Sequence, residues 1–150
     1  MKVLLEPGSA ELIIKKSRFI AEIFPIENQV EAREILKNQK QKYADSSHVV
    51  HAFISGLSGE VSGLSDDGEP SGTAGRPVYD VLKGSGITNI MLTVTRYFGG
   101  TLLGTGGLVK AYSEAAKEVL AIAQTETYIP RISFSFSAPY ETYEPIKRSI

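Results

Sequence analysis

The chain has 150 residues, 42% of them apolar and 22% charged, a composition that excludes disorder and describes a protein able to bury roughly 70% of its unfolded surface without a metal or disulfide staple. It has no cysteine and a formal net charge of −1. Disulfides, thiolate metal sites, cysteine nucleophiles and a global positive field that would draw in nucleic acid are therefore excluded.

The opening segment Met1–Pro7 lacks the long apolar run of a signal peptide, and no stretch approaches the ~20 apolar residues that span a bilayer; a cytoplasmic protein without membrane contact is expected. Leu12–Ile14 and Phe19–Phe24 read as two short strands, with Lys15, Lys16, Ser17 and Arg18 in or beside the turn between them. Asn28 with Glu31 three residues later has the form of a capping box and predicts a helix to about Tyr43. Val49–Ile54 reads as a third strand. Residues 57–75 are rich in Gly, Ser and Asp, carry no Lys or Arg, and read as a long loop with room for one short strand. Pro77 suits the first turn of a short helix ending near Gly84 or Gly86. Ile90–Val94 is an almost continuous apolar run, which predicts a strand buried on both faces. A glycine-rich segment, 99–107, then leads into a helix whose apolar positions Leu108, Val109, Tyr112, Ala115, Ala116, Val119, Leu120 and Ala123 recur at three- and four-residue intervals. Beyond a break near residues 125–130, Arg131–Ser137 alternates like a half-buried strand, and Tyr143–Ile150 has the look of another helix.

Four features bear on chemistry. The glycine-rich segment joins a buried strand to a helix N-terminus, where backbone N–H groups and the positive end of the helix dipole can hold an anion. Its candidate binding residues are Gly99, Gly100, Gly104, Gly106 and Gly107, with Arg96 and Lys110 adding charge. The spacing is neither a Walker loop nor a dinucleotide fingerprint, and tight helix–sheet packing is an equally good reason for the glycines. In the acidic loop, Asp66, Asp67 and Glu69 are candidates for a hard cation or an acid/base pair, against the commoner reading of a solvated turn; the EF-hand spacing is missing. His48 and His51 stand three apart on a predicted strand, which points them to opposite faces and away from a shared ligand. Lys15, Lys16 and Arg18, next to Phe19, form the one dense basic run, a candidate contact for single-stranded nucleic acid or simply a solvated hairpin end. No catalytic constellation is legible, and neither a cofactor nor a structural metal is called for.

Lys16-Ser17-Arg18-Phe19-Ile20-Ala21, the run from Asp66 to Pro77, and Thr95-Arg96-Tyr97-Phe98-Gly99-Gly100 followed by Leu103-Gly104 and Gly106-Gly107-Leu108-Val109 resemble the IMPACT/YigZ family in motif, order and spacing. The resemblance covers about residues 1–125. It implies that residues 1–126 form an IMPACT-type N-terminal domain and that residues 127–150 open a truncated C-terminal domain with a ferredoxin-like fold. The N-terminal domain is then expected to be a two-layer α+β fold, a four-stranded sheet with two main helices on one face, resembling the second domain of a small-subunit ribosomal protein. Domain IV of elongation factor G and the galactokinase/mevalonate kinase superfamily share that architecture. Eukaryotic relatives regulate translation with an added protein-binding domain, and no catalytic residue carries over. The resemblance thus implies a non-enzymatic, translation-linked regulator that binds RNA, a ribosomal component, a translation factor or another protein. The alternatives are an enzyme acting on a phosphorylated small molecule, with the glycine segment on phosphate and the acidic loop on Mg²⁺, and a protein-interaction module.

Overall fold

The computed structural model describes residues 1–127, which form eight strands and three helices. The first hairpin is built from β2 (Gly8–Ile14) and β3 (Ser17–Pro25), after a short β1 (Lys2–Leu4). Ile14 pairs with Ser17, which leaves Lys15 and Lys16 as a two-residue turn. Both have positive φ, 47° and 71°, the sign combination of a type I′ turn whose twist matches the flanking strands. Arg18 therefore lies in β3 rather than in the turn.

Helix α1 (Gln29–Lys42) begins as its sequence predicts: the Asn28 side chain accepts from Glu31 N at 3.0 Å. The Glu31 carboxylate reaches one residue further back than a standard capping box, to Glu27 N at 2.8 Å. The chain continues through β4 (His48–Ser55), β5 (Val61–Ser65), α2 (Gly75–Gly84), β6 (Ile87–Thr88), β7 (Ile90–Tyr97), α3 (Gly104–Ala121) and β8 (Thr125–Thr127). Pro77 sits in the first turn of α2, where it has no hydrogen bond to lose.

The main sheet has the order β2-β3-β7-β4-β5 and is antiparallel throughout. It has five strands, not the four expected. The extra one is β5, in the segment read mainly as a loop, where only Val61 and Leu64 are apolar and both remain exposed. A second, small sheet of order β6-β1-β8 joins the chain start to the end of the described residues.

The two main helices do not share a face. Alternation along β7 sends Ile90, Leu92 and Val94 into a core with Val78 and Leu82 of α2 and Leu108, Tyr112 and Val119 of α3. Met91 joins Phe53 and Ala32 in a smaller cluster under α1, with Ile35 and Leu36 packed against it. Successive strand residues point to opposite sides, so α1 covers one face and α2 with α3 cover the other. The continuous apolar run of β7 requires this: a strand buried along its whole length needs a cover on both sides. The appendage expected after Thr127 lies outside the described residues.

His48 and His51 do fall on opposite faces. His51, on the α1 side, stacks on Phe53 and has its pKa lowered from 6.5 to about 4, first by burial and then by the Lys40 charge. The unfolded chain therefore binds a proton at this position between about pH 6.5 and 4 that the folded chain refuses, and stability should fall as pH drops through that window. Urea titrations at several pH values should show a shallower loss for His51→Gln than for the parent; parallel losses would contradict the assignment.

Candidate functional site

Three of the four sequence features meet at one end of the main sheet, and a buried ion pair joins them. Arg96 sits near the end of β7, on the α2/α3 face. Its Nη1 donates to Glu69 Oε2 at 2.8 Å and Oε1 at 3.1 Å, while Nε and Nη2 donate to Ser17 Oγ at 3.3 and 3.2 Å. Arg96 is 5% exposed and Glu69 7%. Tyr112 of α3 donates its hydroxyl to Glu69 Oε2, and burial, reinforced by that bond, pushes the phenol pKa far up. His48 completes the group. Its Nδ1 lies 2.8 Å from the Asp67 carbonyl, which can only accept, so Nδ1 is the donor. Its Nε2 lies 3.4 Å from Glu69 Oε1.

The sequence suggests Arg96 as a source of charge for an anion. Four of its donor contacts are instead taken by Glu69 and Ser17, and its guanidinium lies between the Phe19 and Phe98 rings at 5.6 and 5.5 Å. It forms the floor of the site.

The acidic loop does not converge on a single point. Asp66 accepts from Gly72 N at 3.0 Å, Ala74 N at 3.1 Å and Gly75 N at 2.8 Å. Burial raises its pKa, but these three donors outweigh burial and hold the carboxyl below its ordinary range. Asp66 thus supplies the cap for α2 that the adjacent Ala74 cannot. Asp67 accepts from Val49 N at 2.7 Å and pairs with Lys40 at 3.1 Å. Glu69 turns inward to Arg96. Among the described residues no group of three or more metal-ligating side chains comes together.

The glycine-rich segment and the basic turn are in direct contact. A Cβ on Gly99 would lie 2.1 Å from the Lys16 carbonyl oxygen, so only glycine allows β7 to leave the sheet this close to the hairpin. Gly99 N also donates to Ser17 Oγ at 3.3 Å. Helix α3 starts at Gly104, inside the glycine-rich segment rather than after it, with Gly104 at φ 77°. Its first turn has no side-chain cap and no acidic residue, so the N–H groups of Gly104, Thr105, Gly106 and Gly107 lack the usual anionic neighbour. Gly100 lies in the preceding loop. Lys110 stands on the exposed side of α3 and does not line the cleft described next. Arg18 lies on β3, paired with Glu11 across the hairpin and over the Tyr97 ring.

Between this segment and the acidic loop opens a cleft of about 330 Å³, lined by His48, Glu69, Pro70, Arg96, Phe98, Leu102, Leu103, Gly104, Thr105 and Leu108. Phe98 is 49% exposed and Leu102 82%. The sequence does not single out Phe98, Leu102, Ser17 or Tyr112 as site residues. Phe98 and Leu102 carry a signal all the same, since two large apolar residues within a glycine-rich loop have little core to enter.

The described residues thus define an α+β domain with helices on both faces of an antiparallel sheet and this glycine segment and acidic loop at one end. The family model for the Impact N-terminal domain matches residues 15–120. The chain belongs to the IMPACT family. It is 40% identical over 115 residues to the IMPACT family member YvyE of Bacillus subtilis, covering 77% of this chain and 53% of that protein. It is 39% identical to an IMPACT family member of Haemophilus influenzae, covering 93% and 70% of the two chains, and 38% identical to YigZ of Escherichia coli, covering 85% and 63%. The chain thus spans only about half to seven-tenths of the length of these relatives. A crystal structure of a protein described only as hypothetical superimposes with a TM-score of 0.80 at 38% identity, covering 83% of this chain and 62% of the other. The two-domain translational regulator Yih1 superimposes with a TM-score of 0.52 at 22% identity over 76% of this chain and 45% of the other, a likeness of fold.

Because the ion pair is buried, removing one partner leaves the other charged and unpaired. Arg96→Ala should cost about 3–5 kcal/mol in urea unfolding. Glu69→Gln combined with Arg96→Met should recover part of that loss, since no lone charge remains. Equal stability of Arg96→Ala and the parent would show that the pair contributes nothing.

Proposed function

We propose that this protein is a non-enzymatic, translation-linked binding protein that contacts RNA, free or as a ribosomal component, through the end of the sheet where the basic turn meets the glycine-rich segment. One observation carries the reading: Gly99 lies against the Lys16 backbone, which supports reading the basic turn together with its neighbour, the segment that carries the exposed Phe98 ring and leads into α3. Lys15, Lys16 and Lys110 have no salt-bridge partner among the described residues. Cationic side chains beside an exposed aromatic ring are what single-stranded nucleic acid uses, through phosphate attraction and base stacking. The net charge of −1 confines such binding to this patch.

Yih1, similar in fold, is described as a translational regulator, and membership of the IMPACT family supports placing the present protein in the same process. The resemblance to a ribosomal-protein domain and a cytoplasmic location belong to the same proposal. The alternative enzyme on a phosphorylated substrate draws less support. Its supposed Mg²⁺ ligands, Asp66, Asp67 and Glu69, are engaged separately with a helix start, a strand N–H and Arg96.

Asparagine tolerates the left-handed backbone of the turn, so Lys15→Asn with Lys16→Asn removes two charges while keeping the hairpin. Binding of a short single-stranded RNA, measured across a salt series, should weaken in this double variant. The slope of log affinity against log salt should become shallower by about 1.4, at about 0.7 for each phosphate that is no longer neutralised. RNA binding that is absent in the parent at low salt, or unchanged in the variant, would remove the assignment.

A further inference from the structure

We propose that the cleft between Phe98, Leu102 and Pro70 is a slot for one unstacked nucleobase, which the RNA surface described above inserts into the protein. The inference rests on that RNA reading and deepens it: the stacked base enters a bounded cleft rather than lying on an open ring.

The volume of about 330 Å³ lies at the small end of ligand sites, roughly 300–1,000 Å³, and suits a single nucleotide unit rather than a larger metabolite. The walls are apolar and differ in kind. Phe98 presents a half-exposed ring backed by the Arg96 guanidinium at 5.5 Å. That cation is already neutralised by Glu69, so it stiffens the ring without attracting anions to the floor. Leu102 is the most exposed large apolar residue among those described, at 82%. It stands two residues before the start of α3, where a solvated loop would ordinarily carry a polar residue.

The floor offers little to read a base edge with. The Glu69 oxygens already accept from Arg96 and Tyr112 and face His48 Nε2. Apolar walls over a satisfied floor suit stacking, which every base can supply, and give no means of telling bases apart. The charge complement lies at the rim. The Lys16 backbone touches Gly99, the residue after the Phe98 wall, so the lysines of the turn are the cations we assign to a phosphate attached to an inserted nucleotide. An aromatic side chain of a protein partner would fill the same walls but would have no use for that cationic rim.

The test compares five-nucleotide RNAs with an abasic ribose-phosphate pentamer of equal charge, measured by fluorescence anisotropy. The parent should bind oligo-A and oligo-U within a few-fold of each other. It should bind both about 5- to 150-fold more tightly than the abasic pentamer, the factor that corresponds to stacking one base. Phe98→Ala and Leu102→Ala should each erase most of that preference while leaving abasic binding as it was. Both residues are exposed, and an unchanged thermal transition checks that each variant is folded. Equal binding of base-containing and abasic pentamers would overturn the slot yet leave the RNA surface standing. Binding of neither would overturn both. Displacement of oligo-A by N-acetyl-phenylalaninamide as readily as by adenosine would reassign the cleft to a protein side chain and likewise overturn the proposal.

Discussion

The pairing of Arg96 with Glu69 is the interaction on which this end of the molecule depends. Taking two charges out of water costs several kcal/mol per ion, and their attraction offsets this only if the remaining donors and acceptors are also satisfied. Ser17 and Tyr112 do that here, and they come from different elements, β3 and α3. The pair therefore joins the hairpin, the central strand, the acidic loop and the last helix. Tyr112 contributes twice. Its ring packs edge-on against Phe19 with centroids 5.2 Å apart, while its hydroxyl closes the polar group above the core. An apolar substitute could match the packing but would leave a Glu69 lone pair unmet.

How much of this is legible from the sequence differs from element to element, for physical reasons. The long, strongly periodic pieces are readable: α3 from its apolar stripe, α1 from the Asn28 cap, and β7 from its unbroken apolar run. The side of the sheet each helix covers is harder to read. Periodicity reveals that a helix has an apolar face, not which surface receives it. The clue is in β7 all the same, since burial on both faces demands covers on both. Strands β1, β6 and β8 have two or three residues each, too few for any alternation to register. Strand β5 has a pattern too weak to separate from a loop, and its outer edge has no strand partner among the described residues.

The candidate site is legible as parts but not as an arrangement. The acidic loop, the basic turn and the glycine segment with Arg96 each stand out in the sequence, and the structure brings these three to one end of the sheet. Their roles, however, come from long-range pairings that no spacing rule describes. Glu69 and Arg96 are 27 residues apart, and Asp66 caps a helix that begins nine residues downstream. Capping rules look to the residue beside the first turn, and that residue is Ala74, which has no side-chain acceptor. Three neighbouring carboxylates resemble one cluster because sequence gives proximity along the chain. Two left-handed residues, Asp67 at φ 44° and Gly68 at φ 88°, turn the backbone between them and send the side chains apart.

The same buried pair decides where binding energy can come from. A charge that is neutralised and desolvated by a fixed partner projects little field into the cleft, so Arg96 cannot act as the anion receptor its position suggests. On the RNA reading proposed above, anion attraction falls to the lysines of the turn and the N–H groups of the α3 start, whose interactions salt screens. Apolar contact is left to Phe98 and Leu102, which salt does not weaken. The site is thus divided into a rigid neutral floor, an apolar wall and a cationic rim. The floor is expensive to build, but it sets the Arg96 guanidinium against the Phe98 ring and bonds Ser17 of the hairpin to Gly99 N. A surface of mobile lysines alone would attract any polyanion equally. Under the proposal, an aromatic wall beside those lysines would favour polyanions that also carry flat apolar groups along their length.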